Sequence, residues 1–161
     1  MKLKMAVVAS IALAAVGAFR TSVRAEQTAS SQQTPATSST ESSPSVWDGI
    51  YRDEQAKRGG ALYLEKCAKW HMPDLAGGET APALASAEFK SNWSGLSVDD
   101  LLERIKISMP QDDPGSLSRQ QTADILAFLL SKGGFPVGKI ELAREAEILK
   151  QIKFEATKPA P

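Results

Sequence analysis

The chain has 161 residues, of which 19 are basic and 19 acidic, and it contains one cysteine and one histidine. This length suits a single domain with extensions, and one cysteine excludes an internal disulfide bond. Without its first 25 residues, which carry four basic and no acidic side chains, the chain has a formal net charge of −4. That charge argues against nucleic acid or an anionic membrane as a partner.

The N-terminal segment has the pattern of a secretory signal peptide. Lys2 and Lys4 precede an apolar run of 15 residues that ends at Phe19, and Val23-Arg24-Ala25 offers a small-x-small cleavage site. The run is short for a helix that spans a bilayer, and an uncleaved membrane anchor is the alternative interpretation. We expect residues 1–25 to be the signal peptide of a periplasmic or otherwise exported protein, with no integral membrane span after cleavage.

Three segments follow the signal peptide. Residues 26–46 are rich in Ser, Thr and Gln and contain no large apolar side chain before Val46, so we expect a disordered linker. Residues 47–136 form the predicted folded domain. Residues 137–161 form a C-terminal extension, in which the spacing of four side chains favours a helix over residues 139–152. These four are Leu142, Ala146, Leu149 and Ile152.

The folded domain has no sustained alternation of apolar and polar residues, and this pattern predicts an all-α fold. A first helix is expected from Asp48 to Cys67, because small and apolar side chains recur there at spacings of three and four. A second helix is expected to begin at Ser97, where Asp100 completes a capping box. It must end before Pro110, since proline lacks the backbone donor that a helix requires.

A third helix is expected to begin at Ser118, with Gln121 at the capping-box position, and to end at Gly133-Gly134. Between the first and second helices, the stretch from His71 to Leu96 is rich in Gly, Pro and Ala and has no helical pattern. A compact domain rarely carries so long an irregular segment without a functional reason. A non-peptide group at the centre would give three short helices a body to pack against.

The single histidine lies four residues after the single cysteine, in Cys67-Ala68-Lys69-Trp70-His71. The c-type haem attachment motif is Cys-x-x-Cys-His, in which two thiols join the haem vinyl groups and the histidine binds iron. Here the first cysteine and the histidine are present, and Trp70 stands at the position of the second cysteine. Taken alone, the pair is also compatible with a hydrogen-bonded structural histidine.

Several further features accompany this pair. In chain order, they are Gly59 and Tyr63 at eight and four residues before Cys67, Pro82, Trp93, the pair Met109-Pro110, and Ile125 followed three residues later by Phe128. Together they make most of residues 48–135 resemble the class I cytochrome c family. The resemblance implies an all-α, cytochrome c-like domain of three or more helices wrapped around a haem.

The resemblance also assigns roles to the matching residues. It implies that His71 and Met109 are the axial ligands of the haem iron. Pro82 would accept the ring N–H of His71, and Trp93 would donate to a haem propionate. The implied cofactor is haem c, joined to the chain by a single thioether at Cys67.

A haem iron with histidine and methionine ligands has both axial positions filled, so no substrate reaches the metal. The resemblance therefore implies an electron carrier that is not an enzyme. The implied partners are redox proteins that dock transiently through small interfaces. They would be an upstream dehydrogenase or respiratory complex and a downstream oxidase or reductase.

Trp70 leaves three explanations open. The haem is held by one thioether at Cys67, or the covalent link is lost and haem is bound weakly or not at all, or the tryptophan is a recent substitution. The alternative function is therefore a haemless or poorly loaded structural or binding remnant of the family.

Two other classes of site use the same residue types. A blue-copper site needs two histidines beside its cysteine and methionine, and the chain has one. A Cys-His hydrolase would use Cys67 as its nucleophile and would need a separate base and oxyanion site. Haem ligation explains Cys67 and His71 better.

Overall fold

The computed structural model describes residues 43–160, and the predicted signal peptide and most of the predicted linker lie outside them. Within the described range the chain is all-α and has no strand, which confirms the predicted fold class. A 3-10 turn at Val46–Asp48 precedes the helices. The helices are α1 (Asp53–Lys66), α2 (Ala68–His71), α3 (Ala87–Trp93), α4 (Val98–Ser108), α5 (Arg119–Lys132) and α6 (Ala146–Leu149).

The observed helix α1 is shorter at both ends than the helix predicted from Asp48 to Cys67. Gly49 ends the 3-10 turn in the left-handed conformation, with φ of 68°, so the chain cannot run from Asp48 directly into α1. Asp53 and Glu54 place negative charge in the first turn of α1, where the helix dipole favours it. The helix ends at Cys67, whose backbone N–H donates to the carbonyl of Tyr63.

The two predicted capping boxes are confirmed. In α4, the Ser97 hydroxyl accepts the Asp100 N–H while the Asp100 carboxylate accepts the Ser97 N–H. Ser118 and Gln121 make the same reciprocal pair at the start of α5. Each box satisfies backbone donors that the first turn of a helix leaves without partners, and α4 ends before Pro110 as predicted.

Helices α1 and α5 cross at Gly59, where their backbones meet. A Cβ atom at Gly59 would lie 1.7 Å from the carbonyl oxygen of Asp124, a distance that no side chain tolerates. Beside the crossing, Arg58 donates two hydrogen bonds to the buried Asp124 carboxylate, at 3.2 and 3.1 Å. The missing side chain lets the helices approach, and the ion pair fixes their register.

The stretch from His71 to Leu96 contains α3, so the expectation of an irregular segment is wrong in its second half. The Ser86 hydroxyl caps α3 by accepting the Phe89 N–H at 3.1 Å. No residue of α3 is fully buried, and a helix without a buried stripe leaves no apolar periodicity in the sequence. The helix is placed by tertiary contacts, among them the packing of Phe89 against Phe154.

Both ends of the described range differ from the sequence expectation. Val46 is completely buried and its N–H donates to Lys153, so the folded region begins before residue 47. In the C-terminal extension only Ala146–Leu149 is helical, although Leu142, Leu149 and Ile152 are buried.

The predicted helix over 139–152 does not extend to its first half, because the backbone groups of Leu142 bond to a side chain. The fully buried Gln55 side chain accepts the Leu142 N–H at 2.6 Å and donates to the Leu142 carbonyl at 3.1 Å. A residue whose two backbone groups are satisfied by a side chain cannot use them in a helix. Residues 139–145 therefore lie outside any helix and contact α1 through Leu142 with Gln55 and Glu141 with Arg58.

Substitution of Gly59 by alanine should destabilise the protein by about 3 kcal/mol or more, because the added methyl group meets backbone atoms that cannot rotate away. The matched control is Gly60→Ala, whose Cβ would lie 3.2 Å from the movable ring of Phe128. Alanine also favours the helix over glycine by about 1 kcal/mol, so the control should stay within about 1 kcal/mol of the wild type. Urea unfolding followed by circular dichroism checks both, and equal stability of the two variants would contradict the close crossing.

Candidate functional site

One cavity of about 500 Å³ brings together all five predicted site residues. They come from different elements, and they are Cys67, His71, Pro82, Trp93 and Met109. Cavities that hold small molecules or cofactors in proteins usually measure about 300–1,000 Å³. The remaining wall is largely apolar and includes Leu84, Phe89, Leu101, Ile105, Ile125 and Leu129. The space suits a large apolar body that meets a few polar groups.

His71 is oriented by the chain that follows it. Its ring is buried, and its Nδ1 lies 2.8 Å from the carbonyl oxygen of Pro82. Because a carbonyl can only accept, Nδ1 donates this hydrogen bond, and in the neutral ring Nε2 carries the lone pair. A histidine held in this tautomer is prepared to bind a metal through Nε2.

Tyr63 ties the end of α2 to α1. Its hydroxyl donates to the carbonyl of Met72 at 2.6 Å and also contacts the carbonyl of His71 at 3.2 Å. Burial raises the pKa of Tyr63 to about 12, so the hydroxyl keeps its proton. The chain turns sharply after His71, since Met72 and Leu75 have positive φ of 61° and 62°. This turn brings Pro82 back to the His71 ring.

Cys67 is buried with its side chain on the wall of the cavity. Burial raises the pKa of its thiol to about 11, so the thiol is neutral near pH 7. Catalytic cysteines have a lowered pKa, whereas burial raises the pKa of this thiol. The arrangement does not match an activated hydrolase nucleophile.

Trp70 lines the cavity together with Cys67. Its indole Nε1 is buried and makes no well-aligned hydrogen bond among residues 43–160, although the indole contributes to the lowered pKa of Asp112. The ammonium of Lys69 lies 5.7 Å from the ring centroid and pairs with Asp112. This pair with Lys69 lowers the pKa of Asp112. The ion pair connects α2 to the loop that follows Met109.

Trp93 and Met109 reach the cavity from α3 and α4. Trp93 is the last residue of α3 and packs against Phe89, with ring centroids 6.3 Å apart. Met109 caps the end of α4, where its N–H donates to Ile105. Met72 is 40% exposed and does not line the cavity, so Met109 is the methionine that the fold directs to the site.

The sequence interpretation missed several residues of the cavity wall. Phe89 and Asn92 lie on α3, which has no apolar periodicity; the one local signal was the capping serine at position 86. Arg104 also lines the cavity, on the helix whose buried stripe was predicted. The available signal was an arginine five residues before Met109, and the sequence does not show where its side chain points.

The donor set fits a haem. It comprises an oriented imidazole, a thioether and a thiol around a large apolar cavity, and these are the groups that c-type haem proteins use. Among residues 43–160 no cluster of three or more His, Cys, Asp or Glu side chains could hold a bare metal ion. In the same part of the chain, no helix is long and apolar enough to cross a membrane.

Comparisons with known proteins give one structural likeness. No protein-family model and no curated protein matches the chain. The sulfane dehydrogenase SoxCD from Paracoccus pantotrophus is a solved structure similar to this chain, with 22% sequence identity and a TM-score of 0.43. The match covers 67% of this chain and 61% of the SoxCD chain, so it spans about three fifths of that chain's length.

Proposed function

We propose that this protein is an exported electron carrier of the class I cytochrome c type, with a c-type haem bound in the cavity. The observation that carries the proposal is the convergence of Cys67, His71 and Met109 on one apolar cavity of about 500 Å³. The hydrogen bond from His71 Nδ1 to Pro82 supports it further, because it leaves Nε2 available for a metal.

The chain's own residues would divide the work of holding the haem. His71 would bind the iron through Nε2, and Met109 would supply a thioether sulfur. Cys67 would supply the thiol for one covalent thioether link to the haem. The bound iron would supply a one-electron redox couple.

With His71 and Met109 as iron ligands, no position at the metal would be left for a substrate. Because His71 and Met109 would both be iron ligands, the site would move electrons without making or breaking bonds, and the protein would not be an enzyme. The apolar wall, which includes Leu101 and Ile125, would exclude water from the ring and raise the reduction potential. The partners would be redox proteins that dock transiently.

A haemless or poorly loaded remnant of the family is the second candidate, and Trp70 favours it. The indole stands where the attachment motif has its second cysteine and already forms part of the cavity wall. Attachment machinery that handles two thiols would meet a bulky side chain in place of one of them. The two candidates differ in whether purified protein carries haem.

Export is the first element of the proposal that can be tested. The basic residues, the apolar run and the small-x-small site before Glu26 favour cleavage after Ala25. Intact mass spectrometry of protein from the periplasmic fraction should give the mass of a chain that begins near Glu26. Periplasmic protein that retains residues 1–25 would show that the segment is an anchor instead.

Substitution of Met109 by alanine should open one axial position. The haem-loaded variant should bind carbon monoxide when reduced and cyanide when oxidised, whereas the wild type should bind neither readily. Its reduction potential should fall, because the thioether favours the reduced metal. Met72→Ala is the matched control, since Met72 lies outside the cavity, and it should behave as the wild type. A Met109→Ala protein that keeps wild-type ligand binding and potential would assign the sixth ligand to another group.

Substitution of Trp70 by cysteine should complete the attachment motif. We expect poor haem loading in the wild type, a single thioether on any haem that is bound, and dimers through unreacted Cys67 in an oxidising compartment. Trp70→Cys should raise the haem content per chain severalfold and suppress the dimer. Expression with cytochrome c maturation factors, haem quantification and non-reducing gels give the comparison. Equal and complete loading of both proteins would show that Trp70 is tolerated, and covalent haem in neither would count against the cytochrome interpretation.

A further inference from the structure

Residues 152–154 of the C-terminal extension bond to two separate parts of the chain. On one side lies the end of the predicted linker, where the Lys153 N–H donates to the carbonyl of Pro44 at 2.8 Å and the Val46 N–H donates to the carbonyl of Lys153 at 3.0 Å. On the other side lie residues 95–98, which join α3 to α4. We call residues 152–154 the clasp.

Three backbone hydrogen bonds attach the clasp to the connection between α3 and α4. The Gly95 N–H donates to the carbonyl of Phe154 at 2.8 Å, and the Phe154 N–H donates to the carbonyl of Leu96 at 2.9 Å. The Val98 N–H donates to the carbonyl of Ile152 at 2.9 Å. Because Leu96 itself lines the cavity, the clasp fixes the backbone at the point where the cavity wall passes from α3 to α4.

The Phe154 side chain supports the same wall from behind. It is 1% exposed and meets the Phe89 ring edge-on, with ring centroids 6.5 Å apart and an interplanar angle of 87°. Phe89 lines the cavity, whereas Phe154 does not. On its other side Phe154 packs against Phe135 with ring centroids 5.3 Å apart. Edge-to-face aromatic pairs of this kind stabilise the packing beyond the area that they bury.

Helix α3 depends on support of this kind. No residue of α3 is fully buried, and within residues 43–160 the helix does not pack closely along any other helix. Its side-chain bond to the end of α5 is a long one, from Lys90 Nζ to the carbonyl of Gly133 at 3.3 Å. An element with so few buried contacts opens at a lower free energy than the core does. The clasp is therefore the main restraint on a wall to which Phe89 and Trp93 belong.

We infer that the clasp holds α3 closed over the cavity, with Phe154 as a positioning residue that controls how long a planar apolar ligand stays bound. The inference rests on the proposed function for the identity of that ligand, a haem. Residues 137–161 lie outside the part of the chain that resembles the class I cytochrome c family, so the clasp is a feature of this chain's own extension. It would retain a ring that only one thioether, at Cys67, attaches to the chain.

The test uses the full chain, produced without cytochrome c maturation factors so that it is free of haem, in four forms. They are the wild type, Phe154→Ala, Phe154→Leu and Leu149→Ala. Leu149 is the matched control, because it is fully buried in the same extension but lies on α6, outside the clasp and the cavity wall. Phe154→Leu keeps most of the buried volume, so it carries the same test with a smaller expected effect if the alanine variant does not fold.

Hydrogen exchange followed by mass spectrometry measures the opening of α3 directly. In Phe154→Ala, peptides from residues 86–98 should exchange about tenfold faster than in the wild type, the scale expected for the loss of a buried aromatic contact. In Phe154→Leu the increase should be about threefold. Peptides from α5 should keep their protection in both, and Leu149→Ala should not accelerate residues 86–98 selectively. Exchange of residues 86–98 that is the same in the folded Phe154 variants as in Leu149→Ala would overturn the inference.

The release of metal-free protoporphyrin IX measures retention by the cavity without iron or a thioether. The porphyrin complex of each protein is mixed with an excess of a competing porphyrin-binding protein, and transfer is followed by porphyrin absorbance. Phe154→Ala should release the porphyrin about tenfold faster than the wild type and Phe154→Leu about threefold faster, because α3 opens more often. Leu149→Ala should release it at the wild-type rate. Release at the wild-type rate from the folded Phe154 variants would contradict the inference.

Failure of the clasp and failure of the proposed function give different results. A protein that carries haem, but whose Phe154 variants match the Leu149→Ala control in both measurements, would overturn this inference and leave the proposed function in place. A protein that takes up neither haem nor porphyrin would overturn both.

Discussion

The close crossing of α1 and α5 is the constraint on which the site depends. Gly59 lets the two backbones touch, and Tyr63, one turn further along α1, then packs against Phe128 of α5 with ring centroids 5.2 Å apart. The Tyr63 hydroxyl holds the end of α2 through the carbonyl of Met72. The turn that follows brings Pro82 to the Nδ1 of His71. A single missing side chain thus determines where the one histidine of the chain can point.

The cavity combines an apolar wall with polar groups that are either fully engaged or free for a ligand. The proton of His71 Nδ1 is committed to Pro82, so its Nε2 is the group left for a metal. The Cys67 thiol on the same wall is neutral near pH 7, because burial raises its pKa to about 11. Trp70 is the exception, because its buried Nε1 makes no well-aligned hydrogen bond among residues 43–160, although the indole helps to lower the pKa of Asp112.

The parts of the fold that could be predicted from the sequence are those that depend on short-range patterns. Capping boxes at Ser97 and Ser118 place α4 and α5 within a residue, because a cap is a short-range hydrogen-bond pattern. The resemblance to the class I cytochrome c family implied the five site residues, and the structure gathers them at one cavity. The parts of the fold that were not predicted depend on contacts between residues distant in the chain. Helix α3 has no buried stripe of its own. Leu142 is held by the side chain of Gln55, 87 positions earlier in the chain. Arg104 was missed for the same reason, since a charged residue on a helix says nothing of what it faces.

The most direct test of the central claim is the position of the Met109 methyl group in haem-loaded protein. After residue 25 the chain contains two methionines, Met72 and Met109, so methyl-labelled methionine gives two proton resonances. In the reduced protein, a thioether bound to the iron lies over the ring and its methyl resonance moves far upfield, away from the ordinary methionine range. The account predicts one such resonance, absent from Met109→Ala, and an ordinary position for Met72. Two ordinary resonances, or an upfield resonance that belongs to Met72, would contradict it.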